Sequence, residues 1–389
     1  MKIGLVSPYD YSHPGGVTEH IRHLARWLDQ FGHEVRTFAP SSRPDIEADV
    51  PHFYRIGRPI PIPVNNSVAR ITLSFHLANR VTEILDRERF DVLHFHEPLM
   101  PALPITVLRM SPVPNVGTFH AFAKSNVGYY YGRALLKHYL RRLDAMIAVS
   151  EPAREFLTHY FPRARVRVIP NGVDIDAFRP GQTPIRHLRD DCVNVLFVGR
   201  LEPRKGLREL LRGYAYMKAR VPESRLIIVG DGPRRARVES YISSHRLKDV
   251  VLAGYVPQSV LPRYYASADI FCSPATGSES FGIVLLEAMA SGLPVVATEI
   301  PGYLSVVEPG VDSVTVRPKS WPELGAALTL LGRDQELRRR MGAAGLEKAR
   351  RYSWSEVTLR VIEAYQEARQ AAASEREAKD VHEPIPEVG

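Results

Sequence analysis

Val193-Asn194-Val195-Leu196-Phe197-Val198-Gly199-Arg200 lies at mid-chain: an apolar, β-branched run that ends on a glycine and a cation. Such a run, closed by a turn signal, reads as a buried strand. The amphipathic stretch Gly206–Ala219 behind it reads as a helix. With this pair the strand–helix alternation of the chain begins a second time. Upstream, Ile3–Val6, Val35–Ala39, Val92–His96, Met146–Val149 and Val166–Ile169 read as strands, with Val17–Phe31 and Ser67–Asp86 as helices. Downstream, Arg225–Val229, Val250–Ala253, Ile270–Cys272 and Val295–Ala297 read as strands, with Gly282–Ser291 and Glu336–Arg350 as helices. Alternation of this kind means parallel sheets with helices on both faces. The restart therefore predicts an α/β protein of two doubly wound, Rossmann-like domains. The turn-rich segment Pro170-Asn171-Gly172-Val173-Asp174 places the hinge just before the restart. Ligands of such sheets bind beyond the carboxyl ends of the strands, and a cleft between the two domains is the expected ligand site.

The division predicted is 1–171 together with a returning helix in 354–373, then 172–353. An Ala-, Glu- and Lys-rich tail over 374–389 is expected to be disordered. The length of 389 residues suits two domains. Hydrophobic residues at 44% and charged residues at 24% describe a globular chain. The most apolar region, Ile283–Ala297, is interrupted by Glu287, Ser291 and Pro294, and the first residues read as a strand rather than a signal peptide. A cytoplasmic protein is expected. Two cysteines, Cys192 and Cys272, exclude a thiolate metal cage and read as inert thiols. The net charge of +8 favours anionic partners, among them nucleotides, phosphorylated substrates and anionic lipid. No zinc-finger, helix-turn-helix or aromatic RNA-reading pattern is present, so nucleic acid is not expected.

Three segments carry chemistry. Pro14-Gly15-Gly16-Val17 joins the first strand to a helix, and glycines there let the backbone approach a ligand while the helix N-terminus attracts a diphosphate. Arg200 ends a strand and Lys205 follows in the loop, so two cations can neutralise a leaving diphosphate. In Glu279-Ser280-Phe281-Gly282-Ile283-Val284-Leu285-Leu286-Glu287 one carboxylate precedes a helix and the other lies a turn inside it. The first can accept hydrogen bonds from sugar hydroxyls and the second from ribose hydroxyls.

In this order the segments resemble glycosyltransferase family 4, the retaining family with the GT-B fold. The likeness spans roughly residues 1–370 and rests on Gly15-Gly16, His120, the Arg200/Lys205 pair and the E-x7-E motif. It implies that Arg200, Lys205 and the helix N-termini hold the donor diphosphate, that Glu279 contacts the transferred sugar, that Glu287 contacts the ribose, and that neither metal nor cofactor is needed. It implies a front-face reaction and a last helix, Trp354–Arg369, that returns to the first domain. Pro61–Arg70, Phe90–Pro98 and Gly117–Ala121 resemble the bacterial phosphatidylinositol mannosyltransferases within that family. This closer likeness implies GDP-mannose as donor and an inositol lipid as acceptor. Tyr9, Asn66, Ser67, Arg70 and Lys124 would line the acceptor site, His120 would lie near the donor sugar, and Val256, Ser280, Phe281, Gly282, Ile283 and Val284 would complete the donor site. Two departures stand out. Gly254–Leu261 carries no charge where those enzymes carry acidic and basic residues, and Arg70–Arg89 mixes its arginines with Glu83, Asp86 and Glu88.

The expected catalytic residues are His120, Arg200, Lys205 and Glu279. The expected function is transfer of a hexose from a nucleotide sugar to an inositol-bearing lipid at the inner membrane surface. Asn65–Arg70 reads as a loop-to-helix junction suited to a phosphate ester. The cationic stretch Arg133–Leu143, which interleaves Leu135, Leu136, Tyr139, Leu140 and Leu143, could rest on anionic lipid or pack on its own domain. Other family 4 donors and acceptors, and a sugar-nucleotide epimerase on the same architecture, are the alternatives. Asp174-Ile175-Asp176 resembles a metal motif but falls in the hinge, and His94 and His96 share a strand face with no evident third ligand beyond the candidates Glu97 and His120, so no metal site is expected.

Overall fold

The computed structural model describes residues 1–13, 15–64, 67–72, 77–121 and 127–380. Side chains at 62–64, 67–69, 127 and 375–380 are outside the description. The chain separates into two compact units. The first comprises Met1–Val64, Val68–Pro170 and the segment from Ser355 onward, and the second comprises Asn171–Trp354.

In the first unit, strands β1 (Lys2–Val6), β2 (Glu34–Ala39), β3 (Phe53–Arg55), β6 (Val92–His96), β7 (Asn115–Phe119), β8 (Ala145–Ala148) and β9 (Arg167–Val168) form a parallel sheet. Its order is β3-β2-β1-β6-β7-β8-β9. β4 (Ile60–Val64) and β5 (Ser67–Ile71) make a separate two-stranded sheet. In the second unit, β10 (Val193–Val198), β11 (Ser224–Val229), β12 (Val250–Gly254), β13 (Ile270–Ser273), β14 (Val295–Thr298) and β15 (Ser313–Val316) form a parallel sheet ordered β12-β11-β10-β13-β14-β15. The order reverses between β1 and β6 in one unit and between β10 and β13 in the other. These are the switch points at which a doubly wound sheet opens a ligand crevice.

β10 shows why the apolar runs become strands. Leu196 and Val198 join one core with Ile227, Val229, Phe271, Val295 and Ala297. Val195 and Phe197 join the opposite core with Leu226, Ile228, Ile270, Cys272 and Val296. A strand covered by helices on both sides must be apolar at every position, so its period-2 signal disappears into a continuous run. Cys272 is buried here and desolvation pushes its thiol up, while Cys192 is half-buried.

Two expectations are corrected. Ser67–Asp86 is not one helix: Ser67–Ile71 is a strand, and the helix runs from Ala78 to Glu88. Val68 and Ile71 fit either period over so short a stretch, and pairing with Ile60–Val64 decides for the strand. Arg70 therefore stands on a strand and not at a helix entrance. The last helix extends from Trp354 to Asp380, so residues 374–380, assigned to a disordered tail, are helical. Its Ala, Glu, Arg and Lys residues rank high in helix propensity, and summed over the stretch they favour the helix. The remainder of that tail lies outside the described residues.

Candidate active site

Each switch point gathers a cluster of polar side chains. In the second unit, β10 runs into Gly199 and Arg200, and a short 3-10 turn, Pro203–Lys205, follows. Gly206 closes that turn at φ +70°, and a Cβ there would lie 1.9 Å from the Pro274 carbonyl oxygen. Only glycine lets the turn pack on the chain leaving β13. The Thr276 N–H then donates to the Arg204 carbonyl at 2.8 Å, tying the two loops together.

That tie brings the loop cations to the carboxylate of the motif. Lys205 Nζ lies 2.8 Å from Glu279 Oε1, and Arg204 also pairs with Glu279. Glu202 is buried, with Arg200 Nε at 3.2 Å and Arg204 Nε at 3.1 Å. Three cations thus face two carboxylates, an excess of one positive charge beside half-exposed Arg200. Arg204 and Glu202 were missed in the sequence, although Arg204 adjoins Lys205. A buried carboxylate between two guanidiniums is costly to leave unpaired, at about 3–5 kcal/mol when one partner is removed.

Gly282 stands at φ +101° ahead of the Ile283–Ala290 helix, and a Cβ on it would press on Tyr303 at 2.8 Å. Glu287, inside that helix, is buried and accepts from Tyr265 Oη at 2.7 Å. Ser280, Ile283, Val284 and Val256 are half-buried. Phe281 belongs to the core, so only its backbone can meet a ligand. Asp174 Oδ1 accepts from the N–H groups of Asp176 and Ala177 at 3.2 and 3.0 Å, so the D-x-D segment caps its own turn.

In the first unit the helix Gly16–Gln30 starts at Gly15, whose φ of −170° is ordinary extended backbone. A Cβ on Gly16 would meet nothing within 4 Å. Neither glycine is demanded by the fold, in contrast to Gly206 and Gly282. Tyr9 is half-buried, and its backbone bridges to Ile71 while the Asp10 N–H donates to the Arg70 carbonyl at 2.8 Å. Tyr9 and Arg70, expected at one acceptor site, are therefore neighbours. Ser67 lies on β5, while Asn66 and Lys124 lie outside the described residues.

The carboxyl ends of β6 and β7 hold four buried imidazoles. His94 is fixed at both nitrogens, to Tyr365 Oη at 2.8 Å and Thr118 Oγ1 at 2.6 Å. His96 Nδ1 faces His120 Nε2 at 3.0 Å. His20, from the Gly16–Gln30 helix, sets its ring edge-on to both His96 and His120. Burial, with repulsion from neighbouring imidazoles, holds His94 down at about 3, and His96 and His120 well below the usual imidazole range. Glu97 is also buried and is pushed up to about 7 by desolvation, although its carboxylate accepts the His120 N–H at 2.7 Å.

Nitrogens of His20, His96 and His120 lie within 4.8 Å of one another, the single grouping of this kind among the described residues. Of the residues weighed from the sequence, His96 and His120 are in this group and His94 and Glu97 are not; His20 was not foreseen.

The Val127–Leu140 helix packs mainly on its own unit: Leu140 and Leu143 are buried, and Leu136 and Tyr139 join the same core. Arg142 donates to the Leu108 carbonyl at 2.9 Å. Tyr130, Tyr131 and Leu135 remain exposed beside Arg133 and Lys137. Among the described residues no helix is long and apolar enough to cross a membrane.

The Glycosyltransferase Family 4 profile matches residues 14–177, and the profile described as Glycosyl transferases group 1 matches residues 184–348. A phosphatidyl-myo-inositol mannosyltransferase of Mycobacterium leprae is 36% identical over 371 residues, covering 94% of this chain and 96% of that protein. One of Propionibacterium freudenreichii is 33% identical and covers 98% of both chains. A D-inositol 3-phosphate glycosyltransferase of Kribbella flavida is 28% identical, covering 93% of this chain and 92% of that one. Among solved structures, a glycosyltransferase from Rickettsia africae superposes with TM-score 0.76 at 19% identity, covering 94% of this chain and 98% of that one. HepE of Anabaena with UDP-glucose superposes with TM-score 0.75 at 20% identity, covering 94% and 99%. Two parallel Rossmann-like sheets, the charged loop of the second unit and near full-length likeness to these transferases agree: the chain is a glycosyltransferase of GT-B fold and belongs to glycosyltransferase family 4.

Proposed function

We propose that this enzyme transfers mannose from GDP-mannose to the inositol of a phosphatidylinositol-type lipid, with retention at the anomeric carbon and without a metal. The observation that carries the reading is the near full-length identity of 36% to a phosphatidyl-myo-inositol mannosyltransferase. The pairing of Lys205 and Arg204 with Glu279 across the Gly206 turn, with Arg200 beside them on Glu202, supports it. The C1–O bond to the diphosphate breaks as the bond from C1 to the acceptor oxygen forms on the same face. The acceptor proton passes to the leaving phosphate oxygen. The diphosphate carries the charge that grows in the transition state, so Arg200 and Lys205 supply the main stabilisation. Gly15 and Gly16, which the fold does not require, leave room for backbone to approach the diphosphate at a helix N-terminus. Glu279 takes the sugar hydroxyls and Glu287 the ribose, while Tyr9 and Arg70 take the inositol phosphate with Asn66, Ser67 and Lys124.

The acceptor headgroup is reached from the inner membrane surface, where Tyr130, Tyr131 and Leu135 lie in the interface and Arg133 and Lys137 meet anionic lipid at about 1 kcal/mol each. A second reading, transfer to soluble inositol phosphate, is favoured by the likeness to the Kribbella flavida enzyme.

One assay separates the readings. GDP-mannose, GDP-glucose and UDP-glucose are offered with phosphatidylinositol vesicles, inositol or inositol phosphate, with and without a chelator, and the anomer formed is read by NMR. The expected product is an α-mannosyl lipid, made equally well under chelation. Transfer only to inositol phosphate overturns the lipid acceptor, a β-linked product overturns retention, and loss of activity under chelation that magnesium or manganese restores overturns the metal-free route.

A further inference from the structure

The imidazole pair at the ends of β6 and β7 has a polarity that its surroundings decide. His96 Nδ1 and His120 Nε2 face each other at 3.0 Å, and both rings are buried. One nitrogen carries the shared proton and the other accepts it. On its far side, His96 Nε2 is buried without a hydrogen-bond partner among the described residues. If His120 were the donor, His96 would carry its own proton on that orphaned nitrogen, leaving a buried N–H unpaired. If His96 is the donor, the orphan is a bare lone pair. Unpaired buried N–H groups are rarer and costlier than unpaired acceptors.

We infer that His96 is a positioning residue: its Nδ1–H donates to His120 Nε2 and locks His120 as the neutral tautomer protonated at Nδ1. His120 then presents one N–H and no charge to whatever oxygen its free edge meets. The unpaired N–H then falls on His120 Nδ1, which, unlike His96 Nε2, is not among the fully buried unpartnered atoms of the described residues and so can meet a ligand or solvent. The ligand class this suits is a hydroxyl or phosphate oxygen of the sugar nucleotide, bound by a neutral donor, so the inference rests on the proposed function for its consequence in catalysis.

The lock has support behind it. The His94 ring lies 4.4 Å from that of His96, and His94 is itself pinned at both nitrogens by Thr118 and by Tyr365 of the returning helix. Glu97 holds the His120 backbone N–H at 2.7 Å. With the backbone and Nε2 both fixed, the direction of the Nδ1–H bond is fixed too. Desolvation, which keeps both rings uncharged, is what lets a tautomer rather than a charge state carry the information.

The test begins with the full-length wild-type protein. Imidazole 15N shifts, recorded after histidine labelling and assigned with a His120→Gln variant, are expected to show His120 protonated at Nδ1 and neutral at pH 7. His96→Leu removes the donor and is expected to move His120 toward the commoner Nε2–H form and to lower kcat about tenfold, with the Kd for nucleoside diphosphate within twofold. In His96→Asn the side-chain amide nitrogen sits where Nδ1 was, and both the tautomer and most of kcat should return. His120 protonated at Nε2 in the wild type overturns the inference, and this reading needs no variant to fold. It is equally overturned if His96→Leu leaves the tautomer unchanged, or if His96→Asn is no better than His96→Leu. Full turnover in His120→Gln strikes the reading of His120 as a residue of the reaction, whereas the wild-type spectrum decides the tautomer by itself.

Discussion

The two switch points of this protein hold polar groups by opposite means. Beyond β10 and β13 the side chains are ionic and paired, with Arg200, Arg204 and Lys205 set against Glu202 and Glu279. Beyond β6 and β7 they are buried and neutral, with His94, His96 and His120 held by hydrogen bonds to Tyr365, Thr118 and one another. Charge that grows on an anionic group is stabilised best by cations already held in place by their counter-charges. Buried neutral imidazoles can orient a polar group without adding charge to it. The same kind of sheet end thus carries different chemistry in the two units, and the difference is in burial as much as in residue type.

The sharpest way to break that comparison is to remove the cations. Arg200→Ala and Lys205→Ala are each expected to lower kcat by roughly two orders of magnitude, the usual cost of losing a group that stabilises transition-state charge. Steady-state assays with the lipid acceptor measure this. Near-normal turnover with unchanged diphosphate affinity in both variants would remove the ionic site from the reaction.

A smaller effect should divide the two carboxylates. Glu279→Gln frees Lys205 and Arg204 from their counter-charge and alters the sugar end, so kcat should drop about tenfold with nucleoside diphosphate affinity little changed. Glu287→Gln, at the Tyr265 hydroxyl, should instead weaken nucleoside diphosphate binding about tenfold. Calorimetry decides, and equal loss of affinity in the two variants would refute the division.

The smallest expected effect is one of stability and separates the units by pH. The buried histidines have folded pKa values below their unfolded value near 6.5, about 3 for His94. Their contribution is present above pH 6.5 and is lost as pH falls below it. Glu97, raised to about 7, works the other way: its contribution is complete below its unfolded value near 4.5 and is lost as pH rises through 7. Three rings outweigh one carboxyl, so acidification from pH 6.5 to 5 should loosen β6 and β7. The histidines of the second unit, His187 and His245, are exposed, and β10 and β13 should hold. Hydrogen exchange corrected for intrinsic rates reports each sheet, and equal loss of protection in both would erase the contrast.

The ionic site was legible in the sequence, whereas of the neutral one only His94, His96 and His120 were named, without their pairing and without His20. Arg200, Lys205, Glu279 and Glu287 sit in short segments whose spacing follows from a strand, a turn and a helix, so local rules place them. The run Val195–Val198 announced the second sheet for the same reason, because apolar continuity over one strand is a local property. The helix read over Ser67–Asp86 failed where local evidence is weakest, in a short segment whose period suits two structures until its partner strand is known. His20, His96 and His120 come from a helix and two strands far apart in sequence, and Tyr365 reaches His94 across 271 positions. Nothing in the neighbours of His20 sets it apart from any polar residue on an amphipathic helix. Residue spacing along the chain thus determined the sheets and the charged motif. The strand order, which sets β6 beside β1 and returns the last helix to the first unit, decided which imidazoles meet, because a hydrogen bond depends on distance in space and not on separation in sequence.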